Sequence, residues 1–205
     1  MQKYLPLLFL LLIACEPSDS DSNSTATIEP ENLVVDENTA IIDPQAYELT
    51  PVAGTDLQTA VRRNARSKVL EMGNVDGSMR KQGDWTIYHT DNKLPAEIAT
   101  FVDGKYHGAL IKIDLYGKVD EMMHYNMGEL DGPYVKFRIA YTEIEANYSA
   151  GKLDGLYKEF DFRNGNLKRE IEFTDGQKDG FDRQYNDDGS LLIEYTYNSG
   201  ELIGN

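Results

Sequence analysis

Three glutamates in the second half of the chain are the residues best placed for acid–base chemistry. Glu145, Glu170 and Glu194 are separated by 25 and 24 residues. On successive hairpins of one sheet they would form a column with steps of about 10 Å, two strand spacings. Glycosidases hold two catalytic carboxyl groups roughly 5 to 9.5 Å apart, but they do so in a cleft that separates acid from base. A flat sheet face offers no such cleft, so we expect no catalytic residue. The alternative, a hydrolase that acts on envelope polymers, would require a cleft lined by several carboxylates.

The other residue types able to do chemistry are not grouped into a site. His89, His107 and His124 occupy unrelated positions and lack the spacing of metal ligands. No Ser or Cys stands in a pattern typical of a nucleophile with a His and a carboxylate. The glycines lead into strands, whereas a phosphate-binding loop leads into a helix. The sequence therefore predicts a protein that is not an enzyme, with no metal site and no cofactor.

Cys15 is the only cysteine in the chain, so an internal disulfide is impossible. It follows one cation, Lys3, and an apolar run over 4–13 that is too short to span a bilayer and typical of a secretory signal. The residues Leu12-Ile13-Ala14-Cys15 resemble the lipobox of bacterial lipoproteins. The resemblance implies cleavage after residue 14 and acylation of Cys15, which would hold the protein on the periplasmic or cell-surface face of the outer membrane. An ordinary signal peptide with a chance cysteine is the alternative.

An acidic segment follows the predicted signal peptide of residues 1–14. Residues 16–61 contain ten Asp and Glu but no Lys or Arg. The segment begins with Ser, Asp, Pro and Glu and has little to bury, so we expect a disordered, self-repelling tether over 15–46. Acidic residues after a lipidated cysteine also resemble the surface-export signals of some bacterial lipoproteins, although a solvated linker explains the same composition.

The elements that must position any site come from a repeat of about two dozen residues, a period typical of stacked supersecondary units. A leading glycine recurs at spacings of 24, 23, 25 and 24 residues, and a second glycine follows each one four positions later. The leading glycines are Gly104, Gly128, Gly151, Gly176 and Gly200, and the second ones are Gly108, Gly132, Gly155, Gly180 and Gly204. We expect both sets to shape the link between hairpins, where positive φ excludes other residues. Asp131, Asp154 and Asp179 are expected to hydrogen-bond within these turns; a calcium site, the alternative, needs six to eight oxygens.

Each repeat is predicted to form an outgoing strand, a tight turn and a returning strand. The turn signals are Asp91-Asn92, Tyr116-Gly117, Asn164-Gly165 and Asp188-Gly189. The returning strands alternate so that an aromatic faces inward in each: Phe101, Tyr125, Tyr148, Phe173 and Tyr197. On the outgoing strands, apolar residues such as Val135 and Phe137 are expected to face inward. Trp85, Tyr134 and Tyr157 would then be exposed among charges, and they form the candidate binding surface. The alternative is that they pack across neighbouring strands.

The phrases Gly-Glu-Leu-Asp-Gly-Pro-Tyr, Gly-Lys-Leu-Asp-Gly-Leu-Tyr and Gly-Gln-Lys-Asp-Gly-Phe resemble the MORN-type repeat, in the variant of the YwqK family of antitoxin components. The resemblance covers residues 74–205. It implies an all-β fold, an elongated antiparallel β-meander of stacked hairpins with ten to twelve strands. The acidic linker precedes it.

Residues 47–73 lie between tether and repeats. Thr55-Asp56 are suited to cap a short helix over 57–65, and Arg62, Arg63, Arg66 and Lys68 make this the one basic patch. The patch is either a solvated helix face or a contact for the acidic tether or for anionic lipid. Residues 68–72 are expected to form the first strand and to cap the stack.

These features favour a lipid-anchored scaffold that binds an unidentified protein or glycan at the cell envelope. An immunity or antitoxin role, in which the acidic sheet covers a basic toxin, is the first alternative.

Nucleic acid is excluded as a partner, because residues from Arg62 onward hold 19 Lys and Arg against 25 Asp and Glu. An edge strand over 200–205 is a second candidate contact, since its unpaired backbone groups can accept a partner strand.

Overall fold

Antiparallel strands make up nearly all of the regular structure. The computed structural model describes residues 39–139 and 141–205. In these residues fifteen strands form one open sheet, which confirms the predicted all-β meander of hairpins. The strands, β1 to β15, are Glu48–Pro51, Gln58–Arg63, Val69–Val75, Lys81–Tyr88, Pro95–Val102, Lys105–Ile113, Val119–Asn126, Glu129–Arg138, Tyr141–Ser149, Lys152–Leu153, Gly155–Phe160, Leu167–Thr174, Gln177–Tyr185, Leu191–Asn198 and Glu201–Gly204.

Each strand pairs with the strands before and after it along the chain. The exception is at β10 and β11, which both pair with β9 and are two parts of one outgoing strand interrupted at Asp154. The predicted signal peptide, Cys15 and most of the predicted tether lie outside the described residues.

The leading glycines lie in two-residue turns that join a returning strand to the next outgoing strand. At the β9–β10 turn, Ser149 pairs with Lys152, and Ala150 and Gly151 have φ of 47° and 78°. Positive φ at both central residues is the geometry of the type I′ turn, which glycine adopts without steric penalty. The turns at Asp103-Gly104, Met127-Gly128, Asp175-Gly176 and Ser199-Gly200 share this pair of positive φ values.

The leading glycines also bond each turn to the preceding repeat. The Gly151 N–H donates to the Leu130 carbonyl at 2.8 Å, and the Gly176 N–H donates to the Leu153 carbonyl at 2.8 Å. The same bond runs from Gly104 to Lys81, from Gly128 to Tyr106 and from Gly200 to Lys178. We call this series the turn ladder. It stacks the five turns along one edge of the sheet.

The second glycines lie inside the outgoing strands, not in the turns as predicted. Gly132 has a φ of 118° beside the point where the β7–β8 register shifts by two residues. Gly108, Gly155 and Gly180 also have positive φ, whereas Gly204 does not. These positions are β-bulges, where an extra pair of residues bends the outgoing strand.

Two of the three aspartates before the second glycines reach across to the next repeat, whereas Asp131 bonds beside its own turn as predicted. A carboxylate oxygen of Asp154 accepts the Asp175 N–H at 3.3 Å, and one of Asp179 accepts the Ser199 N–H at 3.2 Å. Each therefore holds the turn of the next repeat. Asp131 instead accepts from the Asn126 amide at 3.2 Å.

The predicted helix over 57–65 is wrong, because these residues form β2. Ala60 is fully buried on this strand, and Arg62 pairs with Glu71 of β3. β2 is hydrogen-bonded on both sides, to β1 and β3, so the sheet satisfies the backbone groups that a helix would have satisfied internally. The strand expected to be the first of the sheet, at 68–72, is part of the third.

The last residues of the predicted tether are ordered against the sheet. The Ala40 N–H donates to the Gly104 carbonyl at 2.7 Å, and the Lys81 N–H donates to the Ala40 carbonyl at 3.0 Å. Ile42 is buried in the core, and a 3-10 turn follows at Pro44–Ala46. Residues 39–46 thus extend the turn ladder beyond the first repeat.

Candidate binding surface

Trp85, Tyr134 and Tyr157, predicted to be exposed, are buried, with 1%, 7% and 2% of their surface accessible. That prediction is wrong, because residues directly opposite on paired strands share a face of the sheet. Tyr134 lies opposite Met123 and Ala146, which share the inward side of their strands with the predicted aromatics Tyr125 and Tyr148. We call this side the core face.

The core face carries one row of mostly apolar side chains across the sheet. Its residues are Ala60, Gly73, Trp85, Ala99, Leu110, Met123, Tyr134, Ala146, Tyr157 and Ile171. Beside this row, Phe101, Tyr106 and Tyr125 stack with ring centroids 4.6 and 5.2 Å apart. The aromatic rings are used for packing between repeats.

Glycine at position 73 makes room for the indole of Trp85. A β-carbon at Gly73 would lie 2.3 Å from the ring. The indole Nε1–H donates to the Asn74 carbonyl at 2.8 Å, and the Lys81 ammonium lies 4.2 Å from the ring centroid. Trp85 is therefore held on its faces and at its polar edge.

The tyrosine hydroxyls of the core face are directed at glutamates. Tyr134 donates to Glu121 at 3.3 Å and Tyr157 donates to Glu159 at 3.1 Å. Burial raises the pKa of both tyrosines above the ordinary value, and the adjacent carboxylates raise it further. Burial also raises the pKa of Tyr125 to about 12. All three stay neutral at physiological pH, so they act as hydrogen-bond donors and packing groups.

A buried carboxylate lies toward the N-terminal end of the core face. Glu71 accepts from Lys81 at 2.7 Å and from Arg62 at 2.9 Å. Burial alone would raise the pKa of Glu71, but the bonds and charges of Lys81 and Arg62 lower it on balance. The stability that this carboxylate contributes is therefore present above its ordinary pKa and is lost as the pH falls.

The same arrangement recurs toward the other end of the sheet. Asp182 is 2.7 Å from Arg169 and 3.0 Å from Lys178. Burial opposes ionisation of Asp182, and the two cations lower its pKa overall. Both buried carboxylates are thus neutralised by cations of the sheet itself.

The opposite side of the sheet, the open face, presents a continuous row of exposed and half-buried side chains. Directly opposed residues across twelve strands form it: Val61, Met72, Thr86, Ile98, Ile111, Met122, Val135, Glu145, Lys158, Glu170, Arg183 and Glu194. The first seven are apolar apart from Thr86, and the last five alternate in charge. Met72 and Met122 are 36% and 42% exposed.

The column predicted for Glu145, Glu170 and Glu194 lies in the second half of this row. Lys158 and Arg183 alternate with the three glutamates on the intervening strands. Arg183 bridges Glu170 and Glu194. The row is thus a ladder of opposite charges.

A shallow depression of about 360 Å³ lies where the apolar and charged halves of the row meet. It is lined by Pro133, Tyr134, Val135, Glu145, Ala146, Asn147, Leu156 and Lys158. Sequence reasoning missed this depression because it placed Val135 in the core. The returning strands contained the information needed. Because paired residues share a face of the sheet, their inward positions determine which residues of the outgoing strands also face inward.

The three histidines are not brought together. His89 Nε2 lies 2.8 Å from the Ile113 carbonyl and His124 Nδ1 lies 3.0 Å from the Asp131 carbonyl, while His107 is exposed. Among residues 39–139 and 141–205, no group of three or more His, Cys, Asp and Glu side chains is placed to hold a metal ion.

Neither a family model nor a curated protein matches the chain. Within the described part of the chain, no helix has the length and apolar character needed to cross a membrane.

Replacing Gly73 by Ala is expected to displace the indole of Trp85, because the added methyl group overlaps the ring. We expect a loss of about 1 to 3 kcal/mol in the free energy of unfolding and a red shift of the emission of this single tryptophan. Gly77→Ala is the control, since a β-carbon there meets no atom within 4 Å. Urea denaturation and fluorescence spectra of the two variants test this, and equal stability with unchanged emission would contradict the packing described.

Proposed function

We propose that this protein is a lipid-anchored, non-enzymatic scaffold whose open face binds a partner at the bacterial cell envelope, on the periplasmic or cell-surface side of the outer membrane. The observation that carries the binding role is the apolar half of the open-face row. Ile98, Ile111, Met122 and Val135 lie side by side there, and Met72 follows beyond Thr86; Met72 and Met122 are 36% and 42% exposed and the others are half-buried. Contiguous apolar surface of this kind is typical of interaction sites.

The placement of the titratable groups supports a role other than catalysis. The buried carboxylates Glu71 and Asp182 are each neutralised by two cations. Glu170 and Glu194 are likewise paired with Arg183 on the open face. Groups held in internal ion pairs stabilise the sheet and do not need a substrate.

The burial of the three predicted contact aromatics favours a protein partner over a glycan. Sugars commonly pack their C–H faces on exposed aromatic rings. Trp85, Tyr134 and Tyr157 are buried, whereas the exposed side chains in the apolar half of the row are methionine and aliphatic residues. Methionine is enriched at adaptable protein interfaces.

The membrane anchor and the family assignment rest on the sequence. The lipobox-like residues up to Cys15 support acylation of that thiol, and the glycine phrases of residues 74–205 support a relationship to MORN-type repeats. Two or more acyl chains would hold the protein stably on a membrane surface.

Substitution of the exposed methionines tests the binding role. Full-length protein in detergent would be used to capture partners from an envelope extract, with quantification by mass spectrometry. We expect Met72→Asn/Met122→Asn to lower recovery of the specific partner at least fivefold, because polar side chains would interrupt the apolar row. Met127→Asn is the matched control: Met127 is also 42% exposed but lies in a turn. If the double variant recovers the same partners as the control, or if wild type recovers none, the proposal is wrong.

Cys15→Ser tests the anchor separately. We expect wild-type protein to sediment with membranes and the variant to appear in the soluble fraction, because the serine hydroxyl is not a substrate for thioether formation. Ser18→Ala serves as the control for changes near the cleavage site. Membrane sedimentation of Cys15→Ser would contradict lipid anchoring.

A further inference from the structure

Two charged side chains in the open-face depression have no neutralising contact. Glu145 of β9 and Lys158 of β11 are Cα partners and are both half-buried. Within residues 39–139 and 141–205, neither side chain forms an ion pair or a hydrogen bond. The hydrogen-bonding capacity of both groups is therefore available to an external ligand.

One repeat further along the row, the equivalent cation is neutralised internally. Arg183 lies between Glu170 and Glu194 just as Lys158 lies between Glu145 and Glu170. The Arg183 guanidinium is 3.3 Å from Glu170 and 2.5 Å from Glu194. Glu170 is therefore engaged with the next strand and leaves Lys158 without an ion-pair partner. The difference between the two repeats marks the depression as distinct from the rest of the charge ladder.

Apolar groups lie directly beside these charges. Val135 precedes Glu145 in the central row, and Pro133 and Leu156 lie in the adjacent row. Leu156 is 43% exposed. The depression thus offers an apolar patch, a carboxylate and an ammonium group in that order across three strands.

We propose that the depression binds an extended polypeptide segment that presents an apolar, a basic and an acidic side chain at alternate positions. This rests on the proposed function and specifies its partner. The apolar side chain packs on Val135, the basic one pairs with Glu145 and the acidic one pairs with Lys158. Alternate residues of an extended segment lie on one side about 6.8 Å apart. Flexible basic and acidic side chains can therefore reach groups on strands that are about 4.8 Å apart.

The charges of the depression select a polypeptide over the other ligands of an envelope. One carboxylate and one ammonium group match a segment that carries both signs, whereas an anionic lipid surface would be attracted by Lys158 but repelled by Glu145, with no net gain. No exposed aromatic ring is present among the lining residues, because Tyr134 is buried. A sugar would therefore lack its usual stacking platform.

The probe is a fluorescent peptide, acetyl-Gly-Leu-Ser-Arg-Ser-Asp-Gly-amide, titrated with the full-length protein in detergent and followed by anisotropy. Its matched control peptide replaces Arg and Asp with Gln. An exposed ion pair contributes a factor of about 1.4 to 5 in affinity. We therefore expect the control peptide to bind about 2- to 25-fold more weakly, since both ion pairs are lost.

Protein variants locate the contact. Glu145→Gln should weaken binding of the Arg-Asp peptide about 1.4- to 5-fold and leave the Gln peptide unaffected, and Lys158→Gln should do the same. Glu129→Gln, an exposed glutamate outside the depression, is the control and should change neither peptide. Absence of peptide binding, or binding that is insensitive to Glu145→Gln and Lys158→Gln, would overturn the inference.

Partner capture separates this inference from the scaffold proposal. If Met72→Asn/Met122→Asn lowers recovery of the envelope partner but Glu145→Gln/Lys158→Gln does not, the scaffold role stands and the depression is not its contact. If the depression variant also lowers recovery at least fivefold, the partner contains the predicted segment. Failure of wild type to recover any partner counts against both proposals.

Discussion

The fold depends on the hydrogen bond from each leading glycine to the carbonyl group one repeat earlier. In a two-residue turn the N–H of the second central residue has no partner within the turn itself. Here that N–H, as in Gly151, is bonded to Leu130 at 2.8 Å. The bond is possible because successive turns stack in register, and it stabilises that register in return. Each hairpin is thereby held at its end as well as along its strands.

The bulges at the second glycines help a single sheet to bury side chains. The bulge at each second glycine bends the outgoing strand, and the residues before the bulge, such as Leu130 and Leu153, become buried beside the aromatic side chains. At the two ends of the core, Glu71 and Asp182 replace apolar groups and are neutralised by cations. Because the core face is satisfied internally, the open face is the side whose apolar and charged groups remain accessible.

The sequence was sufficient to predict the hairpin repeat and the inward side of the returning strands, because Ile171 and Phe173 alternate with Glu170 and Glu172. It was not sufficient to predict which side of the outgoing strands faces inward. Over 134–139 the apolar residues Val135, Phe137 and Ile139 alternate with Tyr134, Lys136 and Arg138, so alternation favours the wrong face as the inward one.

The turn type would have decided the parity of the outgoing strands. Asp103-Gly104 is a strong signal for a two-residue turn, and such a turn places Tyr106 opposite Phe101, as observed. The expectation that both glycines of a pair shape the link between hairpins places the outgoing strand too late and leaves its parity undetermined. The depression forms only with the observed parity, in which Val135 lies on the open face. Lys158 is unpaired because Glu170 pairs with Arg183, and no local sequence pattern determines that pairing.

Hydrogen exchange at the leading glycines tests the turn ladder most directly. Amide-resolved exchange measurements on the full chain would compare Gly128, Gly151 and Gly176 with Ala150, an exposed turn residue whose N–H has no hydrogen-bond partner among the described residues. The ladder predicts that the three glycine amides exchange as slowly as those of the adjacent strands, because each is bonded to a neighbouring repeat. Exchange of these amides at the rate of an unprotected turn would contradict it.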